Sequence, residues 1–260
     1  MTDIGSPASR VWTNAVLPAI GVVVAIALWW LACVVFDLNP FFVPSPADVF
    51  EAFRQTPGYL LDQSWITIQR VLIGFAIAVT AGLVIAVVLA ASRTVERMAM
   101  PVLAAVNAIP KVAIAPLLLV WLGFGDEPKV VMVVLVCFFP VVVSTMAGLS
   151  STPADLYELA RSLKASWWQT FVKVRLKWAL PQVFTGLKVA TPLAIIGAVI
   201  GEVVNPEQGL GSVITNSGQN SDTALAFASL VLLAVLGVVL FYLVAGLERL
   251  LVPWARSLSS

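Results

Sequence analysis

Six stretches of the chain are apolar over about the length that a membrane-spanning helix requires. A helix crosses a hydrocarbon layer of about 30 Å with about 20 predominantly apolar residues. The stretches contain few charged side chains or none, and they cover residues 16–36, 71–91, 102–124, 130–149, 184–204 and 224–247. The pattern therefore predicts an all-α integral membrane protein with six transmembrane helices.

The composition supports a membrane protein and excludes several kinds of chemistry. Hydrophobic residues make up 60% of the chain and charged residues 11%, against about 45–50% and about 25% in soluble domains. Histidine is absent, which excludes His-based triads and His metal sites. Cys33 and Cys137 lie within apolar runs, so we expect buried side chains rather than a disulfide or a metal site. The net charge of +1 gives no indication of nucleic-acid binding.

The distribution of Lys and Arg predicts the orientation in the membrane. With the N-terminus placed in the cytoplasm, the outside segments contain only Arg54, Arg70 and Lys129. The inside segments contain the remaining Lys and Arg residues apart from Lys111: Arg10, Arg93, Arg97, Arg161, Lys164, Lys173, Arg175, Lys177, Lys188, Arg249 and Arg256. Because Lys and Arg accumulate in cytoplasmic loops, both termini are predicted to be cytoplasmic.

The inside connection at residues 150–183 has the pattern of two short amphipathic helices. Pro153 suits a helix start, with Thr152 as the candidate cap and Asp155 in the first turn. Apolar side chains then recur with helical spacing: Leu156, Leu159, Ala160 and Leu163. An aromatic and basic second helix follows from Trp167, and Pro181 is expected to end it at the membrane.

This helix pair suits two roles on its pattern alone. A helix with outward-facing small and apolar side chains can insert into the groove of a partner protein. The aromatic, basic helix can equally lie at the membrane surface, with Trp at headgroup level and no partner. The pattern leaves these alternatives open.

The amino-acid sequence of the loop resembles the EAA loop of ABC-importer permeases, whose motif is approximately E-A-A-x-x-x-G-A-S. Glu158, Ala160, Ala165 and Ser166 match, whereas Leu159 replaces the second motif residue. Phe171, Pro181 and Gly186 match the positions that follow. The resemblance implies that the loop docks in a cleft of an ATP-binding subunit through Glu158, Leu159, Ala160, Arg161, Leu163, Lys164, Ala165 and Ser166.

Lys164 stands where the family has a glycine, and Lys177 where a proline is common. Glycine allows a left-handed turn between the two helices, and a lysine in that conformation costs about 1 kcal/mol. The turn between the two helices is therefore where this chain departs from the family pattern.

Further segments, in matching order and spacing, resemble the nitrate/taurine/sulfonate-type branch of these permeases: residues 42–46, 67–75, 109–110, 115–117, 121–125, 138–140 and 209–211. The resemblance implies a type I ABC-importer permease-like fold with a cytoplasmic coupling-helix pair between spans 4 and 5. It implies one membrane domain over residues 1–260, with the permease core at about 64–250, in a bacterial inner membrane. The expected partners are ABC ATP-binding subunits, an extracytoplasmic solute-binding protein, a second permease in a homodimer, and the lipid bilayer.

The chain has no GxxxxGK phosphate loop, so we expect no cofactor and no enzymatic activity in it. The resemblance places ATP and Mg on the partner ATPase. Two alternatives remain: an ion-coupled secondary transporter, or the transmembrane component of an energy-coupling vitamin transporter. The absence of paired intramembrane charges and of repeats argues against the first. Dependence on a binding protein would separate the permease from the second.

Asn107, Lys111 and Glu202 are polar residues inside predicted spans, where such residues usually face a cavity or a partner. Lys111 follows Pro110, which together with Pro116 is expected to bend the third span. Lys111 and Asn107, one turn apart, either line the translocation pathway or bond backbone carbonyls freed by the bend. Glu202 is either a gate or substrate contact, or a solvated interfacial residue. Sulfonates, nitrate, bicarbonate and vitamin precursors all remain as solutes, and Lys111 favours an anion.

Overall fold

The computed structural model describes residues 16–254, and these residues form helices joined by short connections, with no strand among them. Arg10 and Arg256, which entered the predicted orientation, lie outside the described residues. The helices are, in chain order, α1 (Leu17–Val35), α2 (Pro46–Gln55), α3 (Pro57–Ala90), α4 (Arg93–Ala108), α5 (Lys111–Leu122), α6 (Glu127–Ser150), α7 (Ala154–Ser162), α8 (Trp167–Thr170), a π-helix (Phe171–Arg175), α9 (Leu176–Val204), α10 (Leu210–Gln219) and α11 (Thr223–Leu251).

Four helices within residues 16–254 are long and apolar enough to cross a membrane. They are α3, α6, α11 and the continuous helix Trp167–Val204. Helices α4 and α5 make a fifth span if the bent pair counts as one. Helix α1 is apolar and has 19 residues. The all-helical membrane class is confirmed, and the number of six spans stays a prediction.

Helix α6 forms the centre of the bundle, between α3 and α9, and glycines on both neighbours bring the backbones together. A Cβ added at Gly74 of α3 would lie 2.5 Å from the Cβ of Val133. On the opposite side, a Cβ at Gly197 of α9 would lie 2.8 Å from the Cα of the same valine. Gly82 and Gly201 approach α6 equally closely, since small residues permit such packing in membrane bundles.

The third predicted span is broken rather than bent. Helix α4 ends at Ala108 and α5 begins at Lys111, and the two helices meet at an angle of 85°. The break follows from Pro110, which has no N–H and forces the residue before it out of the helical conformation. Pro116 lies inside α5 without interrupting it. The expected bend is confirmed at Pro110 alone.

Pro181 does not end the second amphipathic helix, which corrects the prediction made from the pattern. Helix α8 passes through the π-helix into α9, and both Pro181 and Pro192 lie inside α9. A proline is tolerated in a membrane helix where a neighbouring side chain bonds the backbone group that it frees. At Pro192 this group is the Lys188 carbonyl, which accepts a hydrogen bond of 2.8 Å from the Thr191 hydroxyl.

Candidate functional site

The connection between α7 and α8 is a Schellman turn built on Lys164, whose φ is 52°. The Lys164 N–H donates to the Arg161 carbonyl at 2.9 Å, and the Ala165 N–H donates to the Ala160 carbonyl at 3.0 Å. This pair of bonds closes the C-terminus of a helix and requires a left-handed residue, usually glycine, at the position of Lys164. The left-handed turn expected from the motif glycine is therefore present, although a lysine occupies it.

Helix α8 begins with a capping box. The Ser166 hydroxyl accepts from the Gln169 N–H at 3.2 Å, and the Gln169 side chain accepts from the Ser166 N–H at 2.9 Å. Such a box satisfies two backbone donors that a helix start leaves free. Ser166, a residue matched to the motif, thus fixes where the second helix starts after the turn.

The start of α7 differs from the prediction. Pro153 occupies the N-cap position, and no side chain caps this helix. The Thr152 hydroxyl instead donates back to the Leu149 carbonyl at 3.4 Å, at the end of α6. Asp155 lies in the first turn as predicted. Thr152 does not cap α7, because its hydroxyl is hydrogen-bonded to the end of the preceding helix, α6.

Helix α7 projects from the bundle, and within residues 16–254 no other helix packs extensively against it. Leu159 and Leu163, one turn apart, are 55% and 73% exposed, whereas Ala160 is buried. Glu158, Arg161, Lys164 and Ala165 line a cleft of about 550 Å³ beside the turn. The residues expected to couple to an ATPase therefore lie together on an exposed element.

Arg175 anchors this helix pair to the bundle. Its Nη2 donates to the carbonyl of Ala90 at 3.4 Å and to the carbonyl of Leu149 at 3.3 Å, at the ends of α3 and α6. Its guanidinium lies 5.8 Å from the ring centre of Phe171, which stacks on Trp167. In the sequence, Arg175 is one of several basic residues of the loop. The signal available for this contact was its position four residues after Phe171.

Lys111 and Asn107 meet at the break between α4 and α5. The Lys111 ammonium donates to the Asn107 carbonyl at 2.5 Å and to its Oδ1 at 2.7 Å. Both side chains are half-buried. In this conformation the lysine bonds a carbonyl that the broken helix leaves free, which is one of the two roles expected for it.

Glu202 is completely buried, which corrects the interpretation of it as a solvated interfacial residue. One carboxylate oxygen accepts hydrogen bonds from the Thr67 hydroxyl and from Arg70 Nη1, both at 2.9 Å. The other accepts from the Gly211 N–H at 2.8 Å. A buried carboxylate needs such compensation because leaving it unpaired costs several kcal/mol. Glu202 therefore ties α3 to the start of α10.

Arg70 and Lys129, which the charge distribution places in outside segments, are buried, with exposed fractions of 4% and 0%. Arg70 bridges Glu202 to Asp126, with its Nη2 at 2.6 Å from the Asp126 carboxylate, and also donates to a backbone carbonyl in the 205–209 connection. Lys129 pairs with Glu207 at 3.4 Å. We call Thr67, Arg70, Asp126, Lys129, Glu202 and Glu207 the charge cluster. The number of charges in each loop cannot predict the charge cluster, because the burial of these residues depends on how α3, α6 and α9 pack together.

The turn at Gly209 closes over the charge cluster. Its φ is +103°, and an added Cβ would lie 2.2 Å from a Glu202 carboxylate oxygen. The Gly209 N–H donates to the Gln63 side chain at 2.6 Å, and the Leu210 N–H donates to the Thr67 hydroxyl at 2.8 Å. The glycine is thus required both for the backbone conformation and for the approach of Glu202.

Residues 78–257 match the family of binding-protein-dependent transport system inner membrane components. The chain belongs to this family. It is a permease subunit of an ABC importer and a multi-pass protein of the inner membrane. It is not itself an enzyme, because in this family the ATPase is a separate polypeptide. The two alternatives from the sequence analysis are not favoured.

Related permeases align with nearly the whole chain. The riboflavin transport system permease protein RibX of Chloroflexus aurantiacus is 38% identical, over 97% of this chain and 96% of its own length. The putative aliphatic sulfonates transport permease protein SsuC of Bacillus subtilis is 31% identical, over 90% and 86%. The nitrate import permease protein NrtB of Synechocystis is 25% identical, over 95% and 94%. The expected nitrate/taurine/sulfonate branch is thereby confirmed.

A solved structure supports the fold of the permease. A chain of the MetNI methionine ABC transporter, in an inward-facing conformation, superposes with a TM-score of 0.65 at 20% identity. The match covers 74% of this chain and 95% of the other. At this identity the similarity concerns the fold alone.

Proposed function

We propose that the helix pair α7–α8 docks onto an ATP-binding subunit and transmits its movement to the membrane helices. The observation that carries the proposal is the connectivity of the exposed pair: α7 follows α6 directly, and α8 continues without a break into α9. Because α6 and α9 form the centre of the bundle, a displacement of the pair acts on both central helices.

The exposed side chains suit a groove in a partner. Leu159 and Leu163 provide two apolar contacts one turn apart, the spacing with which amphipathic helices enter hydrophobic grooves. Glu158 and Arg161 on the same helix, and Lys164 in the turn, form no ion pair with another described residue. Charged groups left in water in this way are available for a partner. ATP and Mg then bind on that partner subunit.

The same proposal orients the permease. The α7 end of the bundle lies in the cytoplasm, as do both termini, and the end with the charge cluster faces outward. The solute-binding protein docks at this outward end, where Asp126 and Glu207 have exposed carboxylates. Two copies of the permease pair in the bilayer, with α4 and α5 near their shared axis.

We further propose that Asn107 and Lys111 line the pathway and that Glu202 acts as part of its outer gate. The break between α4 and α5 supports the first assignment, because irregular backbone at membrane depth is tolerated where it lines a cavity or is buried in protein. The charge cluster supports the second assignment. Its bonds join α3, α9 and α10, so these helices cannot separate at the outward end without breaking buried ion pairs.

Riboflavin is the solute to test first. RibX is more similar to this chain than the sulfonate and nitrate permeases compared here. The charge of Lys111 argues less for an anion than the sequence suggested, because its ammonium is engaged by Asn107. A ligand screen on the cognate binding protein should include riboflavin, aliphatic sulfonates, taurine and nitrate. Binding of an anion without binding of riboflavin would reverse this ranking.

The coupling role is tested with Glu158→Trp in proteoliposomes that contain the permease and its ATPase subunits, with the binding protein added outside. Uptake of the solute identified by the screen should fall by roughly tenfold, while the ATPase subunits remain bound and hydrolyse ATP. Ala160→Trp should behave alike. Asp155→Trp, on the same helix but outside the motif, is the control. Uptake per ATP that stays at the wild-type value in Glu158→Trp would refute the coupling role.

A further inference from the structure

A second cleft, more polar than the one beside the turn, lies between the ends of α3 and α6 and the starts of α4 and α7. Its volume is about 630 Å³. The polar side chains that line it are Glu96, Arg97, Ser150, Thr152, Tyr157 and Arg175. Two guanidinium groups and three hydroxyl groups thus face one space, against a single carboxylate.

The donors in this cleft exceed the acceptors that the chain provides. Arg175 Nε is buried and has no hydrogen-bond partner among the described residues. Its Nη2 reaches two backbone carbonyls only at 3.3 and 3.4 Å. Arg97 is exposed and forms no hydrogen bond or ion pair within residues 16–254. The two guanidinium groups that line the cleft therefore have no carboxylate partner and few acceptors among the described residues.

The carboxylate of Glu96 does not supply that partner. It accepts a hydrogen bond of 3.1 Å from the Ser150 hydroxyl and pairs with neither arginine in the cleft. Two guanidinium charges against one carboxylate leave the cleft positive. A guanidinium presents several N–H donors in a planar fork that matches the oxygens of a phosphate.

We propose that this cleft binds a phosphate group, and that the headgroup of an anionic phospholipid supplies it. The cleft lies at one end of the bundle, because Arg175 bonds the carbonyls of Ala90 and Leu149, at the ends of two helices long enough to cross a membrane. Such helices end near the headgroup level of a bilayer. Arg175 therefore lies close to the depth of the lipid phosphates. Anionic lipids attract basic residues near the membrane surface, and this attraction does not depend on the solute that the permease carries.

The test uses the permease assembled with its ATP-binding subunits in bilayers that contain phosphatidylglycerol and phosphatidylcholine. Native mass spectrometry then counts the lipids that stay bound. Wild type should retain phosphatidylglycerol in preference to phosphatidylcholine. Arg97→Gln should weaken retention by about fivefold, which corresponds to the contribution of about 1 kcal/mol per basic residue at such a surface. Arg97 is exposed, so its substitution should leave the fold intact.

Lys173→Gln is the matched control, because Lys173 is an exposed basic residue of the π-helix that does not line the cleft. It should retain phosphatidylglycerol as wild type does. If Arg97→Gln and Lys173→Gln lost equal amounts of bound phosphatidylglycerol, the lipid would be held by general attraction to the surface, and the proposal would be overturned. Equal retention of the two lipids by wild type, with no effect of free phosphate, would also overturn it.

A second arm distinguishes a lipid from a free ion. Inorganic phosphate is added to the assembled permease in phosphatidylcholine alone, and thermal unfolding is followed. If the headgroup is the source, phosphate should raise the unfolding temperature little and phosphatidylglycerol should raise it clearly in wild type, but not in Arg97→Gln. If free phosphate raised the unfolding temperature through Arg97 and phosphatidylglycerol did not, the cleft would still be a phosphate site, but its assignment to a lipid headgroup would be overturned. No effect of either probe would overturn both.

Discussion

Charged side chains are buried and paired at one end of the bundle, whereas on α7, at the other end, they are exposed and unpaired within the described chain. In the charge cluster, Arg70, Lys129 and Glu202 are buried and each has an ion-pair partner within the chain. At the α7 end, Glu158 and Arg161 are exposed and form no ion pair with any other described residue. The first end is complete by itself, whereas the second leaves its charged groups free for a partner.

This difference has a physical cause. A buried charge without compensation costs several kcal/mol, so the permease can bury Glu202 only if Thr67, Arg70 and Gly211 are all in place. An exposed charge costs little when it is left in water. Removing one group from the charge cluster is therefore costly, whereas α7 can change its contacts with a partner without a large loss of stability.

The largest effect is expected from Arg70→Ala. Removing one partner of a buried ion pair leaves Glu202 uncompensated and should lower the free energy of unfolding by about 3–5 kcal/mol. Thermal unfolding of the purified permease, with the expression level, measures this effect. Glu202→Ala should behave similarly, because it leaves the buried guanidinium with only Asp126 and a backbone carbonyl.

Asp126→Asn is the control for this pair of variants. Asp126 also contacts Arg70, but its side chain is 69% exposed, and exposed pairs contribute about 0–1 kcal/mol. A loss in Asp126→Asn as large as that in Arg70→Ala would show that burial of the cluster is not what stabilises this end.

A smaller but still large effect is expected at Gly209. Gly209 and Gly123 both have a backbone conformation that is essentially restricted to glycine, with φ values of +103° and +82°. Alanine costs about 1–3 kcal/mol in such a conformation. Only at Gly209 would the new Cβ also meet the Glu202 carboxylate. Gly209→Ala should therefore destabilise the permease by at least about 1 kcal/mol more than Gly123→Ala, as measured by thermal unfolding.

Gly123→Ala separates the two contributions, because nothing lies within 4 Å of an added Cβ at that position. Equal losses in the two variants would mean that backbone strain alone acts at Gly209. The cost of disturbing the charge cluster would then be supported by Arg70→Ala alone, and not by the turn at Gly209.

The sequence predicted features that depend on local pattern. The apolar stretches identified helices, and the EAA resemblance identified a left-handed turn at Lys164. Pro110 predicted a bend at the point where the helix breaks before α5. In each case the signal lies within a few residues of the structure it determines, so a single sequence carries it.

The features that were missed depend on groups distant in the chain. The position of Pro181 inside α9 depends on its helical neighbours and could not be inferred from its usual effect as a helix breaker. The burial of Arg70 depends on Glu202 and Asp126, which come from two other parts of the chain. Thr152 bonds backwards to α6 instead of capping α7. Local propensity is weak evidence where such tertiary contacts decide.

Lys111→Ala is expected to affect transport more than stability, in contrast to the variants of the charge cluster. A cation at a helix C-terminus contributes about 0.3–1 kcal/mol, so unfolding should change little. If Lys111 lines the pathway, uptake should fall by about fivefold, or about 1 kcal/mol, while the ATPase subunits still bind. Uptake assays and co-purification measure the two properties. Unchanged uptake kinetics would leave Lys111 with only its bond to Asn107.

The smallest effect is expected from Lys164→Gly, which changes the α7 end without removing a contact within the described chain. Lysine in a left-handed conformation costs about 1 kcal/mol relative to glycine, so unfolding should require up to about 1 kcal/mol more. The Schellman bonds of the turn are made by backbone groups and remain possible with glycine. Uptake should therefore persist. Lys164→Ala is the matched variant, since it removes the ammonium but keeps the strained conformation. A permease that is inactive with Lys164→Gly but active with Lys164→Ala would show that the strained conformation of residue 164 holds α7 and α8 at the angle that coupling requires.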